Sequence, residues 1–208
     1  MSETAVESCH ERAPRNDETT CELVTSMKAR AKLVAGLGIA FAGVFLTAAR
    51  LRNKHPVGNS SVPEPAKSVS VNRYLGRWFE IARYEQRFER GCRNVTADYN
   101  LRSDGRIEVL NSCRRPDGTR RVARGVAEVV SASNAKLKVR FFGPFFGDYW
   151  VLDHADDYSW SIVGEPSGRY LWILARRANP ESDVIEQLIE LTSRMGYDTS
   201  VLILTDQT

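Results

Sequence analysis

The chain has 208 residues, 42% apolar and 26% charged, with a formal net charge of +3. That is enough apolar mass for one substantial core, and the charge content is ordinary for a soluble protein. Basic residues are scattered among acidic ones without runs or aromatic interleaving, which argues against nucleic acid as a partner. No internal repeat, Gly-rich phosphate loop, H-E-x-x-H or C-x-x-C spacing occurs, so no cofactor and no metal is expected.

Residues 1–26 are polar, mixed in charge and poor in large apolar groups, and are expected to be a disordered lead. Residues 27–50 place Lys28, Arg30 and Lys32 before an uncharged apolar run, Leu33 to Ala49, followed by Arg50. This is an export segment with two alternatives. It is a cleaved secretory signal if translation starts at Met27, and an uncleaved membrane anchor if it starts at Met1. Residues 51–69, which hold Pro56, Pro63 and Pro65, read as a linker. Residues 70–208 are the folded domain.

From there the pattern alternates apolar and polar residues between turns, the mark of an all-β barrel or sandwich. The first strand, β1, is predicted over Arg73–Tyr84, with Gly76 at its entry and Trp78, Glu80 and Ala82 on one face. Strand β2 (95–102) and β3 (106–113) flank Ser103-Asp104-Gly105. A three-residue loop there pairs Leu101 with Ile107 and Tyr99 with Val109, which keeps one face apolar. Strand β4 covers about 121–131 and β5 covers 136–142. Looping out Gly143 to Gly147 sets Phe141 opposite Tyr149 and Val139 opposite Val151 on β6. Looping out Glu165 to Arg169 sets Ile162 opposite Trp172 and Trp160 opposite Leu174 on β7 and β8. Short hairpins throughout suit an eight-stranded up-and-down antiparallel barrel, which leaves no exposed edge.

Asn179 as N-cap, Pro180, then Val184, Ile185, Leu188, Leu191 and Met195 at helical spacing predict one C-terminal helix, with Gly196 just past its end. The run 200–205 is a short ninth strand beside β1.

In such a barrel the start of β1, the β6–β7 loop and the end of β8 share one end. Those places hold Gly76-Arg77-Trp78, Asp153 to Tyr158 and Arg176. With these three motifs, in order and spacing, residues 70–208 resemble the lipocalin family. The phrases V-T-A-D-Y-N-L-R-S-D-G and Y-L-W-I-L-A-R are similar to those of its bacterial outer-membrane branch and of apolipoprotein D. The resemblance implies a lipocalin calyx that binds and carries a hydrophobic ligand. A fatty acid or lysophospholipid handled in the cell envelope or periplasm is the expected cargo, and the protein is expected not to be an enzyme. No cysteine directly follows the apolar run, so no acyl anchor is expected, and any membrane contact falls to residues 33–49.

Trp78 and Arg176 are expected to stack and seal the closed end. The lumen candidates are Tyr99, Val109, Leu137, Val139, Phe141, Tyr149, Val151, Trp160, Ile162, Trp172 and Leu174. The open end gathers Arg87, Arg90, Arg93, Arg114, Arg115, Arg120, Arg121 and Arg169 with Phe88, Phe145 and Phe146, a rim suited to an amphiphile with an anionic head. Asp153, Asp156 and Asp157 read as a charged turn. In this register Val95 faces Cys113 and brings Cys92 near, so a disulfide is feasible, with two free thiols as the alternative. Cys9 and Cys21 fall in the lead. Two other functions stay open: an isomerase or haem-type enzyme on the same barrel, and a protein-interaction module using Phe145 and Phe146, with a homodimer compatible with either.

Overall fold

The computed structural model describes residues 57–208. The predicted lead and export segment, with Cys9 and Cys21, lie outside the described residues. The domain is an antiparallel barrel of β1 (Gly76–Tyr84), β2 (Arg93–Leu101), β3 (Ile107–Arg114), β4 (Arg120–Val129), β5 (Lys136–Arg140), β6 (Gly147–His154), β7 (Trp160–Gly164) and β8 (Leu171–Ala175). β8 pairs with β1, and β1 with β2, which closes the cylinder; β9 (Leu202–Leu204) adds to β1. Apolar side chains of alternating strand positions fill two layers. One lines the lumen, and the other packs between the outer wall and a C-terminal helix.

The β2–β3 register is the predicted one, Leu101 opposite Ile107 and Tyr99 opposite Val109. Two other hairpins differ. β5 ends at Arg140, so Leu137, not Phe141, lies opposite Tyr149, and Val139 meets Gly147. That slip is even and leaves the faces unchanged. Between β7 and β8 the slip is odd: Ile162 pairs with Ile173 and Trp160 with Ala175. An odd slip exchanges faces, so Trp160 and Ile162 lie in the outer layer, and Ser161 and Val163 take the inward places.

β1 departs from strict alternation as well. Its pairing with β8 shifts between Glu80 and Ala82, so Ile81 and Ala82 both face the outer layer. The bulge turns Arg83, opposite Trp172, to the face of Glu80. Beyond Phe79, β1 leaves β2, and the C-terminal tail fills the wedge: Asn94 N donates to Asp206 O, and Gln207 Nε2 donates to the carbonyls of Glu80 and Val95.

The residues before Gly76 are not strand. Val71–Tyr74 form a one-turn helix, α1, that tucks Tyr74 into the floor. Gly76 then needs φ +90°, a backbone that a side chain would resist. Residues 57–69, read as linker, lie along the barrel instead. Asn59 is buried and donates to Met195 O, Ala66 N donates to Leu152 O, and Val69 N donates to Ser133 O. Composition showed the prolines but not these partners. The C-terminal helix, α2 (Ser182–Arg194), starts three residues after Asn179, with Glu181 at its N-cap and Asp183 in the first turn. Gly196 follows its end at φ +88°, as expected.

At the floor the Arg176 guanidinium carbon lies 3.8 Å from the Trp78 ring centre. The same group donates to the carbonyls of Arg77, Arg73, Tyr74 and Leu75 at 2.7 to 3.2 Å. Arg176→Ala therefore strips a stacked cation and several hydrogen bonds, a loss of about 2–4 kcal/mol. Urea unfolding of the variant will read this, and an unchanged midpoint would contradict it. Near the mouth Cys92 and Cys113 are joined, Cα to Cα 5.5 Å, across 21 residues of sequence. Loop-closure entropy assigns such a link about 3 kcal/mol. Peptide mapping of exported protein without reductant should recover the two as one linked peptide, and recovery of both as free thiols would remove the claim.

Candidate functional site: the barrel lumen

The lumen holds a cavity of about 640 Å³, within the range of small-molecule sites. Nine predicted residues line it: Tyr99, Val109, Leu137, Val139, Phe141, Tyr149, Val151, Trp172 and Leu174, joined at the open end by Phe88, Phe145 and Phe146. Trp160 and Ile162 do not, because the odd β7–β8 slip turns them outward. Sequence reading missed Tyr74, Glu80, Glu89 and Asn111 in the lining.

The floor is a tyrosine layer. Tyr149 hydroxyl meets Tyr74 hydroxyl at 3.0 Å and Tyr99 hydroxyl at 2.9 Å, and Tyr74 also reaches Ser161 Oγ at 3.1 Å. Burial pushes Tyr74 up to about 12 and drives Tyr99 and Tyr149 higher still, so all three are neutral donors and acceptors. Beneath them Trp78 Nε1 donates to Tyr74 O. The Asp-Tyr turn completes this end: Tyr158, at φ +64°, accepts from Ser70 N and stacks on His154. His154 points both ring nitrogens at carbonyls, of Ala155 and Ser68. Asp153 and Asp156 pair with Lys67, and Asp157 accepts from Ser159 N. Among the described residues no group of side chains is placed to hold a metal.

Towards the mouth the wall carries buried charge. Glu80 and Arg83, each 3% exposed, pair at 2.7 Å, and Thr205 Oγ1 donates to Glu80 at 2.6 Å. Glu89, on the β1–β2 loop, is half-buried because its carboxyl faces the lumen, where it accepts from Trp172 Nε1 at 3.1 Å. Burial, reinforced by the nearby Glu80 carboxylate, pushes Glu89 up to about 8 against the pull of Trp172, Arg83 and Arg121.

The arginine rim is not part of the lining. Arg87, Arg114, Arg115 and Arg120 are exposed. Arg90 pairs with Glu85 and Arg93 with Asp206, while Arg169 offers its carbonyl to Gln86 Nε2. Arg121 borders a side pocket of about 280 Å³ and donates to Phe88 O. None of these arginines lines the main cavity, and Arg121 is the one that borders the side pocket.

Glu89 has a consequence for stability. Unfolded, its carboxyl titrates near the ordinary 4.5; folded, near 8. The native state holds the extra proton between those values, so this stability is complete below the lower one and is lost as pH rises through the upper one. The melting temperature of the wild type should exceed that of Glu89→Gln by a smaller margin, or trail it further, as pH climbs from about 5 to about 9, a drift of several degrees. Parallel melting curves would contradict the protonated Glu89.

Sequence comparison adds relatives to this geometry. The lipocalin-like domain family matches residues 69–207. The chain is 41% identical over 156 residues to outer membrane lipoprotein Blc of Vibrio cholerae, covering 72% of this chain and 91% of that protein. It is 35% identical over 178 residues to apolipoprotein D of Mus musculus, covering 80% and 90%. Among solved structures, insecticyanin of Manduca sexta superposes with a TM-score of 0.60 at 21% identity, covering 75% of this chain and 90% of that one, a likeness of fold. A lumen-lined barrel sealed by Gly76, Trp78, Tyr158 and Arg176, matched along its whole length at this identity, means that the chain belongs to the lipocalin family.

Proposed function

We propose that the protein binds and carries a single-chain lipid, a fatty acid or lysophospholipid, in its lumen and serves lipid maintenance in the cell envelope as a carrier, not a catalyst. The observation that carries this reading is the apolar cavity of about 640 Å³, floored by neutral tyrosines and opening among phenylalanines. An acyl chain of about sixteen carbons buried at roughly 0.8 kcal/mol per methylene contributes on the order of 12 kcal/mol gross, before ordering and association costs. The carrier reading is supported by His154, the barrel's histidine, which sits in the floor turn with both ring nitrogens on carbonyls. The names of the bacterial relatives, outer membrane lipoproteins, support export to the envelope. With no cysteine directly after the run Leu33 to Ala49, the protein is free in the periplasm or held by that segment.

Phe142 and Phe145, 73% and 80% exposed at the mouth, favour a second reading in which this loop docks a partner. Native mass spectrometry of the exported protein, followed by lipid extraction, tests the first. For the site itself, Val139→Asp places a carboxylate in the lumen and should weaken a fluorescent fatty-acid analogue at least about tenfold. Trp160→Ala, on the outer face, should change that affinity by less than about twofold. A folded Val139→Asp protein with wild-type affinity would sink the internal site and promote the loop.

A further inference from the structure

With the lumen as the lipid site, the chemistry at its mouth bears on the head group of the ligand, and any head-group assignment rests on that reading. Among the described residues, four carboxyls line the main cavity, Glu80, Glu89, Asp148 and Glu165, and no lysine, arginine or histidine does. Three of the four are engaged. Glu80 pairs with Arg83 at 2.7 Å and Asp148 with Lys138 at 2.7 Å. Glu165 closes its own turn, accepting from Ser167 N and Oγ and from the backbone of Arg169 and Tyr170.

Glu89 stands apart. Among the described residues its carboxyl accepts from one neutral donor, Trp172 Nε1. Two cations act on it from outside the main cavity's lining. Arg83 donates to Glu89 O, the Glu80 carboxylate and Thr205, its Nε left buried without a partner among the described residues, and Arg121 Nη1 donates to Phe88 O. Glu89 sits where the main cavity meets the side pocket, and Asn111 lines both cavities with it. Asn111 Oδ1 is buried without a hydrogen-bond partner among the described residues. A free carboxylate arriving there would meet only neutral donors, the protonated Glu89 and the Asn111 amide, with no cation in the lining. A positively charged donor would meet a carboxyl able to ionise and an orphaned amide oxygen.

We propose that the junction of Glu89 and Asn111 seats an ammonium, so that the lumen selects amino-headed single-chain lipids over free fatty acids. The raised titration of Glu89 agrees with a carboxyl that has no cation of its own and ionises when the ligand brings one.

The test is displacement of the neutral lumen probe N-phenyl-1-naphthylamine by three chain-matched competitors, hexadecylamine, hexadecan-1-ol and palmitate, each below its micelle concentration. Hexadecylamine should compete at a concentration at least about tenfold lower than palmitate, the scale of one charge-assisted hydrogen bond. Glu89→Gln should shrink the ratio of amine to alcohol affinity by a similar factor, with its folding checked by thermal melting. Palmitate matching or beating the amine, or a ratio untouched by Glu89→Gln, overturns the head-group assignment while leaving the lipid site standing. Failure of all three to displace the probe removes the lumen site and this assignment together.

Discussion

The barrel depends on one stacked cation. α1 has a single turn, so its last carbonyls have no intrahelical partners, and those of Tyr74 and Leu75 are part-buried at the floor. Arg176 answers that need: a planar guanidinium has enough donors to bridge Arg73, Tyr74, Leu75 and Arg77 while its face rests on Trp78. A lysine ammonium, with three donors on one point charge, could not span these carbonyls while lying flat on the indole. Because Arg176 directly follows β8 and Trp78 lies near the start of β1, the contact also ties the seam where first and last barrel strands meet. A closed sheet has no edge left to slip once that seam is set.

From this sealed end the polarity of the lumen changes along its axis. The tyrosine layer satisfies itself internally, since each hydroxyl finds another hydroxyl, and so it demands nothing of a ligand. The middle of the wall is aliphatic. Near the mouth the Glu80–Arg83 pair is buried with tight geometry, and Thr205 from the tail adds a hydrogen bond to the carboxylate. Such a pair contributes little net stability against hydrophobic replacement, but losing one member would strand the other charge. Its structural effect is to hold the tail in the wedge between β1 and β2, where backbone pairing is missing.

The sequence made most of this fold legible because the barrel's information is local. The three-residue loop before Arg106 fixed one register through the need to keep Tyr99 and Val109 on the same face, and the structure has that register. The motifs at the closed end pointed to their stack because only one arrangement brings those strand ends together. What could not be read was anything that breaks period two. A bulge at Ile81 leaves no trace in composition, yet it decides that Arg83, not Ala82, follows Glu80 inward. The β7–β8 hairpin was misread by one residue because both faces of β7 are apolar: Trp160 and Ile162 serve the outer layer and Val163 the inner. Where a strand is buried on two sides, alternation carries no register.

The β7–β8 register and the β1 bulge shape the site more than any other position does. In a register one residue away Trp160 would have crowded the lumen beside Trp172, and without the bulge Arg83 would have pointed outward, leaving Glu80 alone inside. The observed register sends Trp160 to the outer layer and turns Ser161 inward, where it is buried with a partner in Tyr74. The bulge brings Arg83 to Glu80, with further bonds to Thr205 and to the Glu89 carbonyl and none to the Glu89 carboxyl, while its Nε is buried without a partner among the described residues. A protein needing a cation at the mouth for an acidic ligand has one within reach here and turns it elsewhere. The same arrangement keeps Trp160 out of the cavity and keeps Arg83 and Arg121 out of its lining, so one register and one bulge, more than the barrel itself, set the charge that the lumen presents.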